Sequence, residues 1–319
     1  MPCFHPITAY NKVGGGITWT YSESNATKIT ISCKQCTGCR QEQARQWAMR
    51  NIHEASLWLN NIFITLTYDD ENLPGNQIEY NDDKWPTSCV WPQPVPGSLV
   101  KKHYQDFMKR LRKNKHSTEK NPIRFFHCGE YGEKYGRPHY HAIIFNCNFN
   151  DRKQIPGQKN LSTSETLKKL WGKGHVSIGD VNFTTASYVA GYVQKKINGK
   201  QKQEHYQVFD PGTGEYYGQR QQEYSTMSRR PGIAGHWFAK HKNDVYPSDN
   251  IHINGREMRP PKYYDRLYEI EYPSDMETIK EKRKEAMIET EHLRTPEALL
   301  HAEKTMTARM SIYKRGKLL

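Results

Sequence analysis

His139 and His141, two histidines separated by one residue, are the side chains best suited by type and spacing to do chemistry. They stand in Gly136-Arg137-Pro138-His139-Tyr140-His141 and lead into the apolar run Ala142-Ile143-Ile144-Phe145. That run predicts a strand, in which alternate side chains share a face. His139 and His141 then point one way, and Tyr140 points the other way to pack. Two imidazoles side by side are half of a metal site. A pair of partly buried histidines at the start of a strand is the plain alternative, because short motifs arise often by chance. Glu130 ends the preceding predicted strand. If the two strands pair, its carboxylate converges on the imidazoles. Two imidazoles and one carboxylate, with open positions, make a catalytic rather than a closed structural site.

A nucleophile follows downstream. A helix predicted from Thr184 or Thr185 to about Ile197 brings Tyr188, Tyr192 and Lys195 within roughly 60° of one another, at about 100° per residue. Ala186, Val189, Val193 and Ile197 fall on the opposite side. A phenol, with a pKa near 10, is a weak nucleophile. Beside a cation-bound phosphate it can attack and form a covalent phosphotyrosine. Two hydroxyls one turn apart can take turns at one phosphate, with Lys195 supporting the charge. Tyrosines that merely pack with their hydroxyls wet are the alternative.

The composition names the substrate. The 319 residues carry a formal net charge of +13, with 20 Tyr and 7 Trp among the cations. A basic surface attracts phosphates, and aromatic rings among Lys and Arg suit stacked single-stranded bases. Ser228-Arg229-Arg230-Pro231-Gly232 is a basic loop in which Arg229 and Arg230 could hold phosphate, or a plain turn. The N-terminal residues have no apolar run of leader length, and no stretch is long enough to span a bilayer. The expectation is a soluble, cytosolic chain with no membrane partner. No Gly-x4-Gly-Lys-Ser/Thr sequence is present, so no motor of that kind is built in.

Seven cysteines in a reducing compartment point away from disulfides. Cys33, Cys36 and Cys39 form a Cys-x2-Cys-x2-Cys run, with Cys3 some way upstream. Four thiolates suit a structural zinc ion, and an iron–sulfur cluster less well. His5 could replace one thiolate, and reduced thiols in a tight turn are the alternative.

The elements that must position these groups can be read in order. A helix is predicted from Arg40 to about Asn60, with Ala44, Trp47, Ala48, Ile52, Ala55 and Leu59 on its apolar face. A strand over Asn61 to Tyr68 follows, then a long irregular loop over Asp69 to Gly97. Ser98 is read as the cap of a helix from Leu99 to about Lys113. Strands follow over Ile123 to Glu130 and His139 to Cys147. A short helix begins at Thr163 or Ser164 and runs through Trp171. A strand over Gly174 to Val181 precedes the tyrosine helix. The order β-α-β-β-α-β is that of ferredoxin-like folds. The fold class expected is α+β, with a central antiparallel sheet, helices packed on it and a helical C-terminal tail. Residues 1–60 form a Cys-rich segment and helix, 61–200 a core, 201–273 its extension, and 274–319 a charged tail ending in Lys314-Arg315-Gly316-Lys317.

Taken together, these motifs resemble the HUH-superfamily endonucleases, in particular the replication initiators of microviruses of the gokushovirus type, phages with small circular single-stranded DNA. The likeness rests on Cys33–Arg40, Phe63–Tyr68, Gly129–Gly132, Gly136–His141, Tyr188–Lys195 and Ser228–Gly232. It implies nicking of one strand at the viral origin and attachment of the 5′ phosphate to tyrosine. The free 3′ hydroxyl then primes rolling-circle synthesis, and the displaced circle is later rejoined. By the same resemblance His139, His141 and Glu130 are ligands of a divalent metal ion, Mg²⁺ or Mn²⁺. Tyr188 and Tyr192 are the nucleophiles and Lys195 the motif lysine. Glu133, which also precedes the histidines, competes with Glu130. The implied partners are origin DNA and the host's helicase, single-strand-binding protein and DNA polymerase, in the host bacterial cytoplasm. An HUH transposase or plasmid relaxase would use the same groups. A non-enzymatic single-stranded DNA-binding protein would use none of them.

Overall fold

A computed structural model describes residues 3–23, 27–75, 95–133, 135–192, 201–209 and 212–312. The chain begins with β1 (Ile7–Asn11), β2 (Ile17–Thr18), β3 (Lys28–Ile31) and α1 (Thr37–Ala55). It continues through β4 (Asn61–Tyr68), α2 (Lys101–Asn114), β5 (Arg124–Tyr131) and β6 (Pro138–Phe145). Next come β7 (Lys153–Gln154), β8 (Ser162–Thr163), α3 (Glu165–Trp171), β9 (Gly174–Asp180) and α4 (Phe183–Tyr192). After these lie α5 (Gln201–Tyr206), β10 (Gln207–Phe209), β11 (Tyr216–Gln219), β12 (Tyr224–Met227) and α6 (Gly235–Val245). The last are β13 (Ile251–Ile253), β14 (Arg256–Met258), α7 (Lys262–Glu271), α8 (Pro273–Glu289), a 3-10 turn over Glu291–Arg294 and α9 (Pro296–Ile312). The architecture is α+β, with a large antiparallel sheet and several helices. No helix among the described residues is long and apolar enough to cross a membrane.

Two compact units make up the chain, one of residues 47–241 and one of residues 1–46 with 242–318. In the first, the sheet order is β12-β5-β6-β4-β9-β8-β7. Strand β4 sits inside it, antiparallel to β6 on one side and β9 on the other. Its β-branched and aromatic sequence suits this doubly flanked position. Alternation sends Ile62, Ile64, Leu66 and Tyr68 to one face, where they join Tyr140, Val176, Ile178 and the apolar sides of α2 and α3. Phe63 goes to the other face, among Phe126, Cys128, Ile143, Phe145, Ala186 and Val189. β9 starts at Gly174, where a Cβ would lie 2.2 Å from the Asp69 backbone nitrogen, so only glycine permits this approach of two chains.

Several boundaries differ from the sequence reading for identifiable reasons. α1 ends at Ala55 because the Asn61 side-chain amide donates to the carbonyls of Ala55 (2.9 Å) and Trp58 (3.0 Å). Leu59, expected on the apolar face, is therefore 96% exposed. α2 begins at Lys101, and Ser98 does not cap it: its hydroxyl accepts from the Gln221 backbone N–H. Tyr140 takes that place from across the core. Its hydroxyl accepts from the Val100 N–H (2.8 Å) and donates to the Val100 carbonyl (3.0 Å). α3 is capped by Ser164, whose hydroxyl accepts from the Leu167 N–H. For α4 the capping residue is Asn182 rather than a threonine. Its side-chain oxygen accepts from the Thr185 N–H while Thr185 Oγ1 accepts from the Asn182 N–H, both at 2.9 Å. The end of that helix near Ile197, most of the Asp69–Gly97 loop and the basic C-terminal residues lie outside the described residues.

In the second unit, β2-β1-β3 form a small sheet and β13-β14 a hairpin. Arg283 of α8 bridges Asp249 (2.5 Å) and Asp265 (2.8 Å), which ties α8 to α7 and to the turn before β13.

Candidate active site

β5 and β6 pair antiparallel, with Glu130 opposite His139 and Cys128 opposite His141. On the other side of β6, Thr67 stands opposite His139 and Thr65 opposite His141. Period-two alternation on three adjacent strands therefore places Glu130, His139, His141, Thr65 and Thr67 on one face. His141 Nε2 lies 2.9 Å from Glu130 Oε1, and both side chains are 5% exposed. The Nδ1 atoms are held by threonine hydroxyls, His141 by Thr65 and His139 by Thr67, each at 3.0 Å. The two rings are 6.4 Å apart at their centroids. Glu130 meets the His141 imidazole, while Glu133 is exposed in the turn that follows and its charge still reaches Tyr188.

His141 Nε2 and Glu130 Oε1 are the donor atoms this face brings together, with the His139 ring standing beside them; among the described residues, the four donors that gather closely enough to hold a metal ion as they stand are Cys3, Cys33, Cys36 and Cys39. A hydroxyl at Nδ1 orients each ring, as supporting hydrogen bonds do around metal-binding imidazoles. Gly132 is part of the same construction. A Cβ there would lie 2.8 Å from His139 Nε2 and 3.2 Å from its Cδ2. The glycine in Gly129-Glu130-Tyr131-Gly132 thus makes room for the ring.

Tyr188 of α4 packs onto this group. Its ring meets His141 edge-to-face at 5.6 Å and Phe63 at 6.1 Å. Helical geometry separated Tyr188 from Ala186 and Val189. In the fold all three border the same core, because the histidines and the apolar cluster share one face of the sheet. Burial pushes the Tyr188 phenol above its ordinary range, and the Glu130 carboxylate adds to this. Tyr192 closes α4, and its side chain, like the whole of Lys195, lies outside the described residues. Tyr140 projects to the opposite face, where its hydroxyl meets Tyr68 (2.7 Å) in the α2 core.

Two other predicted groups lie elsewhere. The Arg229/Arg230 loop is fastened at the far end of β5 from Glu130. The Ser228 N–H donates to the Phe125 carbonyl and Arg124 Nη2 donates to the Pro231 carbonyl. Phe125 and Glu130 are five residues apart on one strand, about 17 Å. Both arginines are exposed and form no part of the histidine site. In the other unit, Cys3, Cys33, Cys36 and Cys39 converge, their sulfurs all within 4.8 Å of one another. This cluster could hold a metal ion. His5 is not a member, as its Nε2 pairs with Glu303 (2.8 Å). Burial raises the Cys36 thiol, but N–H donors from Cys39 and Phe4 and the neighbouring thiols outweigh it and bring the group down to about 6.

Sequence reasoning missed Thr65, Thr67 and Gly132. The signal was present: two threonines, two apart in an otherwise apolar strand, repeat the spacing of the histidines.

The model of the Replication-associated protein ORF2/G2P family matches residues 61–197, the stretch that carries this site. The chain belongs to the replication-associated proteins of the microviruses. Replication-associated protein VP4 of Bdellovibrio phage phiMH2K is 30% identical over 86% of this chain and 79% of its own length. Replication-associated protein ORF2 of Spiroplasma virus 4 is also 30% identical, over 89% of this chain and 86% of its own. Replication-associated protein ORF4 of Chlamydia phage 1 is 26% identical over 77% of this chain and 55% of its own. No solved structure matches.

Proposed function

We propose that this chain initiates rolling-circle replication by nicking one strand of the phage origin, with Tyr188 and Tyr192 as nucleophiles and His139, His141 and Glu130 as ligands of a divalent cation. The observation that carries this reading is that His141 meets both Glu130 and the ring of Tyr188, with His139 on the same face and both imidazoles tethered at Nδ1 by threonines. The strand order β5-β6-β4-β9, with neighbours antiparallel, supports a ferredoxin-like HUH core.

A divalent cation, Mg²⁺ or Mn²⁺, would polarise a non-bridging phosphate oxygen and offset the charge that develops there. His139 and His141 present Nε2 and Glu130 a carboxylate oxygen to hold it. In the resting site Tyr188 keeps its proton, since burial and the Glu130 charge both oppose a phenolate. Attack by the Tyr188 oxygen forms an O–P bond and breaks the P–O3′ bond. The phenol's proton is balanced by the one taken up at the departing 3′ hydroxyl. The 5′ phosphate remains on tyrosine. Tyr192, one turn further along α4, repeats the cleavage after a round of synthesis, and the released 3′ hydroxyl attacks the first phosphotyrosine to close the circle. Lys195, three residues past Tyr192 in sequence, supports phosphate charge. Arg229 and Arg230, remote from the site, hold DNA backbone away from the scissile bond. Unwinding and synthesis fall to the host's helicase, single-strand-binding protein and polymerase, in the host cytoplasm.

Single-stranded oligonucleotides tiled across the phage genome test this directly. With Mn²⁺ or Mg²⁺, one tile should be cut and leave a covalent protein–DNA adduct, and EDTA should abolish both. His139→Ala/His141→Ala should form no adduct. Tyr188→Phe and Tyr192→Phe should each retain single cleavage, and the double variant none. An adduct from the double variant, or intact DNA on every tile, overturns the assignment.

A further inference from the structure

The nickase reading leaves the cysteine cluster unused, and the cluster has geometry of its own. Six of the seven cysteines are described, all as free thiols. Cys128 and Cys147 sit singly in the core, whereas the other four gather. Cys33 Sγ is 4.0 Å from Cys39 Sγ, and Cys36 Sγ is 3.9 Å from Cys3 Sγ. A tetrahedral zinc ion with bonds of about 2.3 Å separates its sulfurs by about 3.8 Å. Sulfurs this close leave space for one ion and none for the several irons and bridging sulfides of a cluster.

Backbone N–H groups already point at three of the four sulfurs. Cys33 Sγ accepts N–H bonds from Cys36 (3.3 Å) and Gln35 (3.5 Å), Cys3 Sγ accepts from Cys33 (3.2 Å), and Cys36 Sγ accepts from Phe4 (3.3 Å). The turn is made by Lys34 in the left-handed region at φ 60°. Cys36 immediately precedes α1 and Cys39 lies in its first turn, so the start of this helix carries two of the four sulfurs. The surroundings decide what the cluster joins. Phe4, Cys36 and Leu299 form one small buried core, with Ala302 and Met306 against it. Three segments distant in sequence therefore meet at the thiols: the N-terminal residues, the start of α1, and α9.

We infer that Cys3, Cys33, Cys36 and Cys39 hold one zinc ion, and that this ion fastens the N-terminal segment and the start of α1 against α9. The site is closed, with four protein ligands, and its role is structural. It does not depend on the nickase reading.

The test uses the full chain, purified under reducing conditions without added metal. Elemental analysis should find one zinc per chain, retained through gel filtration. An organomercurial that titrates four thiols should release it. Cobalt reconstitution of stripped protein should give the charge-transfer and visible bands of a tetrahedral tetrathiolate. In hydrogen exchange, stripping zinc from the wild-type chain should raise exchange in residues 3–5 and 296–306 and leave β4, β5 and β6 protected. Cys36→Ser should lower bound zinc at least tenfold. If that variant does not fold, the wild-type stoichiometry and exchange data still decide the matter. A wild-type chain without zinc, with iron in its place, or with α9 exchange indifferent to zinc overturns the inference.

Discussion

Each imidazole of the His139/His141 pair is tethered at Nδ1 by a threonine of β4, and this tether orients the ring. Thr65→Val and Thr67→Val keep the shape of the side chain and remove the oxygen. Loss of such a supporting hydrogen bond typically costs about 10–100-fold in metal affinity. Titrating nicking against Mn²⁺ should show the half-saturating concentration rising by about that factor, with thermal stability little changed. Gly132→Ala acts on the same ring by a different route. Its Cβ would stand 2.8 Å from His139 Nε2, so the imidazole must swing. Cation affinity should fall although no ligand has been altered, and an unchanged Mn²⁺ titration would contradict that. At this scale the shared face of His139 and His141 and the pairing of their strand with that of Glu130 were legible from residue type and spacing, whereas the packing of Tyr188 beside Ala186 and Val189 was not. The tethers were not, because they depend on strand register, which the sequence of one strand does not contain.

At the scale of elements, α4 and the loop after β12 show how helix and strand ends are secured. The reciprocal Asn182/Thr185 cap starts the helix that carries Tyr188. Asn182→Ala should lower stability by about 0.5–2 kcal/mol in urea unfolding. The loop bearing Arg229 and Arg230 hangs on a buried ion pair. Arg124 Nε meets Glu54 Oε1 at 2.6 Å, with the Glu54 side chain 0% and the Arg124 side chain 8% exposed. The second Glu54 oxygen accepts from the Ala234 N–H, also at 2.6 Å. Removing one partner leaves a buried charge without its counter-charge, so Glu54→Ala should cost about 3–5 kcal/mol in the same assay. The elements themselves were readable from hydrophobic period: β4 fell where its β-branched run placed it, and α3 began at its serine. Where the reading slipped, at Leu59 and Ser98, a contact made from outside the element decided the boundary, and at Asn182 a reciprocal cap three residues wide did. The strand β12 had no such periodic signal; its four residues matter because they pair with β5.

Two properties belong to the molecule as a whole. With a net charge of +13, binding to single-stranded DNA should weaken with salt. The logarithm of the affinity should fall linearly, with a slope of about 0.7 per neutralised phosphate, measurable by fluorescence anisotropy at several salt concentrations. The second is acid sensitivity. Burial keeps His53 neutral down to about 3 and His103 down to about 4. A histidine in an unfolded chain takes up a proton near 6.5. Below that pH the unfolded state binds protons the folded state refuses. Stability is then full above about pH 6.5 and lost on acidification toward 4, by up to about 1.4 kcal/mol per pH unit for each such histidine. Unfolding midpoints measured from pH 7 to 4 should show this limb, and His53→Phe, which retains a ring against Trp237, should make it shallower. The β4–β6 register has a further consequence. Neither strand alone contains the site, since the imidazoles stand on one and their tethers on the other. A slip of a single residue would send the histidines to the opposite face and part them from both. If the proposed nicking activity holds, the sheet is its safety catch: a nascent, misfolded or proteolysed chain carries every residue of the blade without the register that assembles it.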